Sequence, residues 1–189
     1  MNKVKSCLPN VLTFINLSLG VIAILMTVTS DSTNALINAS LLVMLAALTD
    51  RFDGQVARKL GVSSALGKEL DSLSDLISFC VAPIIISWKI SWLVVFSAMG
   101  SNGYLMILLI LSFPIAGAYR LARFNVTEFA NEFQGLPTTI AGAFLSILNL
   151  YNCFQATHDS YTYINVIITF IIINLLSYLM VSKFKLQKR

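Results

Sequence analysis

Residues 50–75 read DRFDGQVARKLGVSSALGKELDSLSD, and both flanks, Leu36–Thr49 before and Leu76–Ile86 after, are predominantly apolar. Asp50, Asp53, Asp71 and Asp75 therefore lie in or beside segments that belong in lipid. An uncompensated carboxylate at the centre of a membrane helix costs about 2.5–3.5 kcal/mol, and four together also repel. Something positive must hold them. Asp50, Asp53 and Ala57 recur at intervals of three and four, which places them on one helical face with Arg58 beside it. Gly67, Asp71 and Asp75 recur every four residues along the next helix, so the two acids stand one turn, roughly 6 Å, apart. A turn containing Gly61, Ser63 and Ser64 joins the helices, and an antiparallel pair brings all four carboxylates to one end.

The composition sets the same frame. Of 189 residues, 57% are hydrophobic and 12% charged, and the mean hydropathy is +0.79. A soluble domain of this size cannot bury so much apolar surface. Six segments, near 9–29, 35–60, 67–88, 101–126, 136–152 and 162–183, approach the roughly 20 residues that span a bilayer. Backbone groups in lipid must be satisfied within the segment, so these are read as helices. The expected architecture is an all-α integral membrane protein of six transmembrane helices, with residues 1–189 as one membrane-embedded catalytic domain. Trp88 and Trp92 suggest an interfacial belt that ends the third span.

With both ends on one side, twelve basic residues, including Arg51, Arg58, Lys59, Lys68, Arg120 and Arg123, share that side, and Lys89 alone faces the other. This bias assigns the acidic cluster to the cytoplasmic face of the cell membrane. The net charge of +4 is thus a topology signal. It forms neither a soluble basic face nor an aromatic platform, so no nucleic-acid partner is expected. Cys7, Cys80 and Cys153 lack metal-ligand spacing, and His158 falls in an outer loop beside Asp159. Lys3 and Lys5 before an apolar stretch resemble a signal peptide, but no small-x-small cleavage site follows, so an uncleaved first helix is expected.

Oxygen ligands without cysteine or histidine select a hard cation such as Mg²⁺, Mn²⁺ or Ca²⁺. Four carboxylates can hold two such ions at the roughly 3.5–4 Å separation of two-metal phosphoryl chemistry. A plainer account pairs the acids with Arg51, Arg58, Lys59 and Lys68 on a wetted helix end. It suits Asp50 and Asp53, and suits Asp71 and Asp75, running inward along an apolar helix, poorly. A divalent-cation transporter is a further alternative, since intramembrane acids also mark ion paths. Transport sites usually sit near the midplane between broken helices, whereas these acids lie beside Arg58 and Lys59, which repel cations.

Asp50-x-x-Asp53-Gly54-x-x-Ala57-Arg58, eight residues, then Gly67-x-x-x-Asp71-x-x-x-Asp75 resembles the signature of the CDP-alcohol phosphatidyltransferases at all eight specified positions. The resemblance implies that Asp50, Asp53, Asp71 and Asp75 bind two divalent ions, Mg²⁺ or Mn²⁺, which bridge the diphosphate of a CDP-linked lipid. It makes Asp75 also the general base, places Gly54, Ala57, Arg58 and Gly67 around the CDP moiety, and implies a homodimer.

Arg120-Leu121-Ala122-Arg123-Phe124-Asn125, then Gly135-Leu136-Pro137, resembles membrane-type phosphatidylserine synthases, as does Pro9-Asn10 before Leu12-Thr13 and a helix containing Gly20. This implies CDP-diacylglycerol and L-serine as substrates, with Arg120 and Arg123 binding the acceptor, because a fixed arginine can hold a carboxylate bidentately. The same pair could serve as positive-inside anchors or bind phosphate, so phosphatidylglycerophosphate synthase and archaetidylserine synthase chemistry are alternatives. Thr138 and Thr139 stand where many relatives carry a second proline, a departure that falls on no charged position.

Overall fold

The computed structural model describes the backbone of residues 3–60, 64–99, 104–126 and 135–182, and side chains within 10–52, 64–92, 107–126 and 135–182. The described residues form α1 (Lys3–Thr29), α2 (Thr33–Leu60), α3 (Ala65–Asp75), a π-helical segment (Leu76–Val81), α4 (Ala82–Met99), α5 (Tyr104–Val126), α6 (Thr138–Thr157) and α7 (Tyr163–Val181). No strand occurs among them. The α3, π and α4 segments run on without a break, so there are six rods, as the apolar pattern predicts.

Two features depart from that pattern. The third rod does not stop at residue 88 but continues to Met99. Trp88 and Trp92 sit one turn apart inside it with ring centroids 4.8 Å apart and tilted by 57°, and Lys89 between them is paired with Asp31 of the α1–α2 loop at 2.6 Å. This pair ties the third rod to the α1–α2 loop. That hydrogen-bonded ammonium also holds the exposed Asp31 carboxyl below its ordinary pKa. The second departure is that, among the described residues, five rods, not six, are long and apolar enough to cross a membrane by composition, which fits a multi-pass membrane protein. The exception is α6, which carries Ser146, Asn149 and Asn152. Its polar groups are buried and bonded within the bundle: Asn149 Nδ2 donates to the Pro83 carbonyl at 2.9 Å, and Asn152 Nδ2 to Thr169 Oγ1 at 2.9 Å.

The third rod is the axis of the bundle. In its apolar stretch 61% of residues are buried, against 28–39% in the other four. Pro83 cannot donate to the carbonyl one turn back and its ring crowds that turn, so the register widens just before it, in the π segment. Consecutive residues there face different cores. Phe79 packs with Ala23, Val43 and Ile86, and Cys80 with Phe113, Leu145 and Ile173. Three glycines let neighbouring helices close on this point: Gly20 against Ser78, Gly142 against Phe79 and Gly117 against Cys80. Ser74 and Ser78 donate to the Thr13 and Asn16 carbonyls of α1 at 3.1 and 3.0 Å, which fixes the rod's rotation.

A Cβ added at Gly142 would lie 2.8 Å from the Phe79 Cα, which only backbone movement can relieve. Gly142→Ala is therefore expected to destabilise the fold by about 1–3 kcal/mol, the usual penalty of overpacking, read as a lower midpoint in SDS or thermal unfolding.

Candidate active site

The site begins at the N-terminus of α3. Ser64 is the N-cap: in extended conformation, its Oγ accepts from the Gly67 N–H at 3.0 Å. A Cβ at Gly67 would meet Ser64 Oγ at 3.0 Å and Asn10 Oδ1 of α1 at 3.3 Å, so glycine permits this close start. The cap sets the rotation of α3, and Asp71 and Asp75 follow one and two turns on, facing α2.

Asp50, Asp71 and Asp75 each place a carboxylate oxygen within 4.8 Å of the others. Asp75 is 8% exposed, and the other two are half-buried. Three carboxylates this close, without cysteine or histidine, fit a hard divalent cation. At Asp53, Gly54, Ala57 and Arg58 only the α2 backbone is described, so their expected contacts lie outside the described side chains. From Thr33, beside the Asp31 loop, to Asp50 along α2 is about 25 Å at 1.5 Å per residue, so the acids and the Asp31–Lys89 pair occupy opposite ends of the bundle. His158, at the C-cap of α6 and edge-on to Phe154 at 4.5 Å, is at the end remote from the acids.

A cavity of about 210 Å³ opens beside the acids, with Lys68, Asp71, Asp75, Arg120, Asn125 and Thr138 among its lining residues. The two arginines of α5 part company. Arg120 is 9% exposed, faces the cavity, and donates from Nη1 to Thr138 Oγ1 at 3.3 Å. Arg123, sixty degrees around the helix, donates from Nη1 to the Val181 carbonyl at 3.1 Å and lies 5.8 Å over the Tyr119 ring. It caps the C-terminal end of α7.

Three lining residues that the sequence motifs name without a role, Asn125, Thr138 and Thr139, make polar contacts here. Asn125 Nδ2 donates to Ser72 Oγ at 3.0 Å and to Glu69 Oε1 at 3.3 Å, which ties α5 to α3. Thr139 Oγ1 donates to Asp50 Oδ2 at 3.1 Å. The threonine pair after Pro137 thus falls on no charged position but touches two charged side chains, Arg120 and Asp50. Its place beside the Gly135-Leu136-Pro137 motif was the available signal.

Comparison with known proteins agrees with this geometry. An archaetidylserine synthase of Methanothermobacter thermautotrophicus is 40% identical over 142 residues, 74% of this chain and 56% of its own. A CDP-diacylglycerol–serine O-phosphatidyltransferase of Bacillus subtilis is 37% identical over 149 residues, 78% of this chain and 73% of its own. One of Saccharomyces cerevisiae is 40% identical over 116 residues, 54% of this chain and 38% of its own. The chain therefore spans between about two fifths and three quarters of the length of these relatives. Residues 6–182 match the family described as CDP-alcohol phosphatidyltransferase, and with an acidic cluster where its signature falls, the chain belongs to that family.

Proposed function

We propose that the protein transfers the phosphatidyl group of CDP-diacylglycerol to the hydroxyl of L-serine, releasing CMP and phosphatidylserine. The observation that carries this reading is the convergence of Asp50, Asp71 and Asp75 beside a cavity lined by a buried arginine. The family is generally divalent-metal dependent, and the oxygen-only cluster suits such an ion. We assign two ions, Mg²⁺ or Mn²⁺, to Asp50, Asp53, Asp71 and Asp75. Bound there, they would supply positive charge to the diphosphate.

The chain's own groups divide the remaining work. A serine hydroxyl is a weak nucleophile at neutral pH, and Asp75 serves as its general base. Gly54, Ala57, Arg58 and Gly67 line the CDP moiety, with Arg58 opposing the charge that grows on the departing CMP. Arg120 takes the serine carboxylate in the cavity. Arg123 supports that wall through its bond to the end of α7.

Serine as acceptor draws support from the relatives, whose names share serine and differ in the lipid. The same likeness favours a second reading, an archaetidylserine synthase acting on an ether-lipid donor. Among the described side chains, Arg51, Lys68, Arg120 and Arg123 lie at the acidic end and Lys89 at the other. This supports a cytoplasmic active-site face in the cell membrane. A single catalytic domain working as a homodimer completes the proposal, and light scattering in nanodiscs checks the dimer.

The test is CMP release by purified protein with CDP-diacylglycerol or CDP-archaeol, Mn²⁺ or Mg²⁺, and serine, glycerol 3-phosphate or inositol phosphate in turn. Serine-dependent release supports the reading, and release driven only by another alcohol rejects it. Arg120→Ala is expected to raise the serine KM about 10–100-fold, the worth of a charge-assisted hydrogen bond, with little change for the lipid donor. Arg123→Ala should change that KM far less and lower stability by about 0.3–1 kcal/mol, through loss of a cation at a helix C-terminus. Equal KM effects on both substrates would make the two arginines membrane anchors.

A further inference from the structure

The first turn of α6 is pinned in place. Gly135 has φ +78°, a conformation that favours glycine, and a Cβ there would stand 3.0 Å from the Ser182 carbonyl oxygen. The Leu136 N–H donates to the Leu179 carbonyl at 3.1 Å, and Pro137 then begins the helix. With the chain anchored to the end of α7, the adjacent hydroxyls of Thr138 and Thr139 have fixed origins. One accepts from Arg120, and the other donates to Asp50, 89 residues away in sequence.

We propose that Thr139 is a positioning residue for the cation site. Its hydroxyl holds the Asp50 carboxylate in the orientation that keeps one oxygen within 4.8 Å of Asp71 and Asp75. Like charges at that distance repel, and an aspartate side chain can rotate away about its χ angles. A donor from another helix opposes that rotation before any ion arrives, so less rearrangement accompanies binding. Groups that orient ligands in this way typically change metal affinity about 10–100-fold when removed. The inference rests on reading the acids as a divalent-cation site.

The test uses full-length protein in detergent and Mn²⁺ alone, with free Mn²⁺ followed by electron paramagnetic resonance. Thr139→Val, which keeps the shape and removes the donor, is expected to weaken Mn²⁺ binding about tenfold or more. The Mn²⁺ concentration that half-activates CMP release should rise by the same factor, while the serine KM and the melting temperature stay near wild type. Thr139→Ser should restore wild-type affinity. Thr139→Ala, which also lacks the donor, repeats the measurement if the valine variant melts early. Wild-type affinity in the donor-less variants would overturn this proposal alone, and a wild-type protein that binds no Mn²⁺ would overturn it together with the reading beneath it.

Discussion

Asp75→Asn is expected to lower serine-dependent CMP release by about 10²–10⁴-fold, the usual worth of general base catalysis. The substitution keeps the shape of a side chain that is 8% exposed and lies at the end of α3, where the π segment begins. It removes the basic lone pair and one negative charge, and leaves two carboxylates in the described cluster. Binding of the CDP-lipid should therefore largely persist, and the loss should fall on kcat. Activity above about a tenth of wild type would exclude Asp75 as the essential base, because no general base is worth so little.

Asp71→Ala is expected to abolish activity and metal dependence together. Charge stabilisation at a metal site supplies several kcal/mol, about three orders of magnitude at 1.36 kcal/mol per tenfold. A second readout separates this from misfolding. A ligand that binds only the folded state stabilises it by about 2.7 kcal/mol at a hundred times its Kd. Mn²⁺ should accordingly raise the unfolding midpoint of the wild type and leave that of Asp71→Ala unmoved. A variant that still turns over in chelator would contradict a metal-assisted reaction.

The sequence discloses those features that depend on position along one helix. Asp71 and Asp75 share a face because they are four residues apart, whereas the Ser64 cap that starts their helix falls in what the sequence reads only as a turn. Five of the six rods follow from apolar length, and the opposite placement of Lys89 follows from the count of basic residues. Features that depend on register between helices are not legible in the same way. Arg120 and Arg123 look equivalent by spacing, yet a sixty-degree difference sends one into the cavity and the other to the end of α7. Thr139 meets Asp50 only because Gly135 turns the chain against α7, which no periodicity encodes. The π segment is likewise hidden, since Pro83 signals a disturbance but not its form. Nor does any periodicity show that Lys89 pairs with Asp31, 58 residues away.

Anomalous diffraction at the manganese edge, from crystals grown with Mn²⁺, addresses the central claim without passing through kinetics. Two peaks are expected, with carboxylate oxygens of Asp50, Asp53, Asp71 and Asp75 around them at about 2.0–2.2 Å, the range for small divalent ions. Manganese bound elsewhere, with these side chains ordered and bare, would contradict the account.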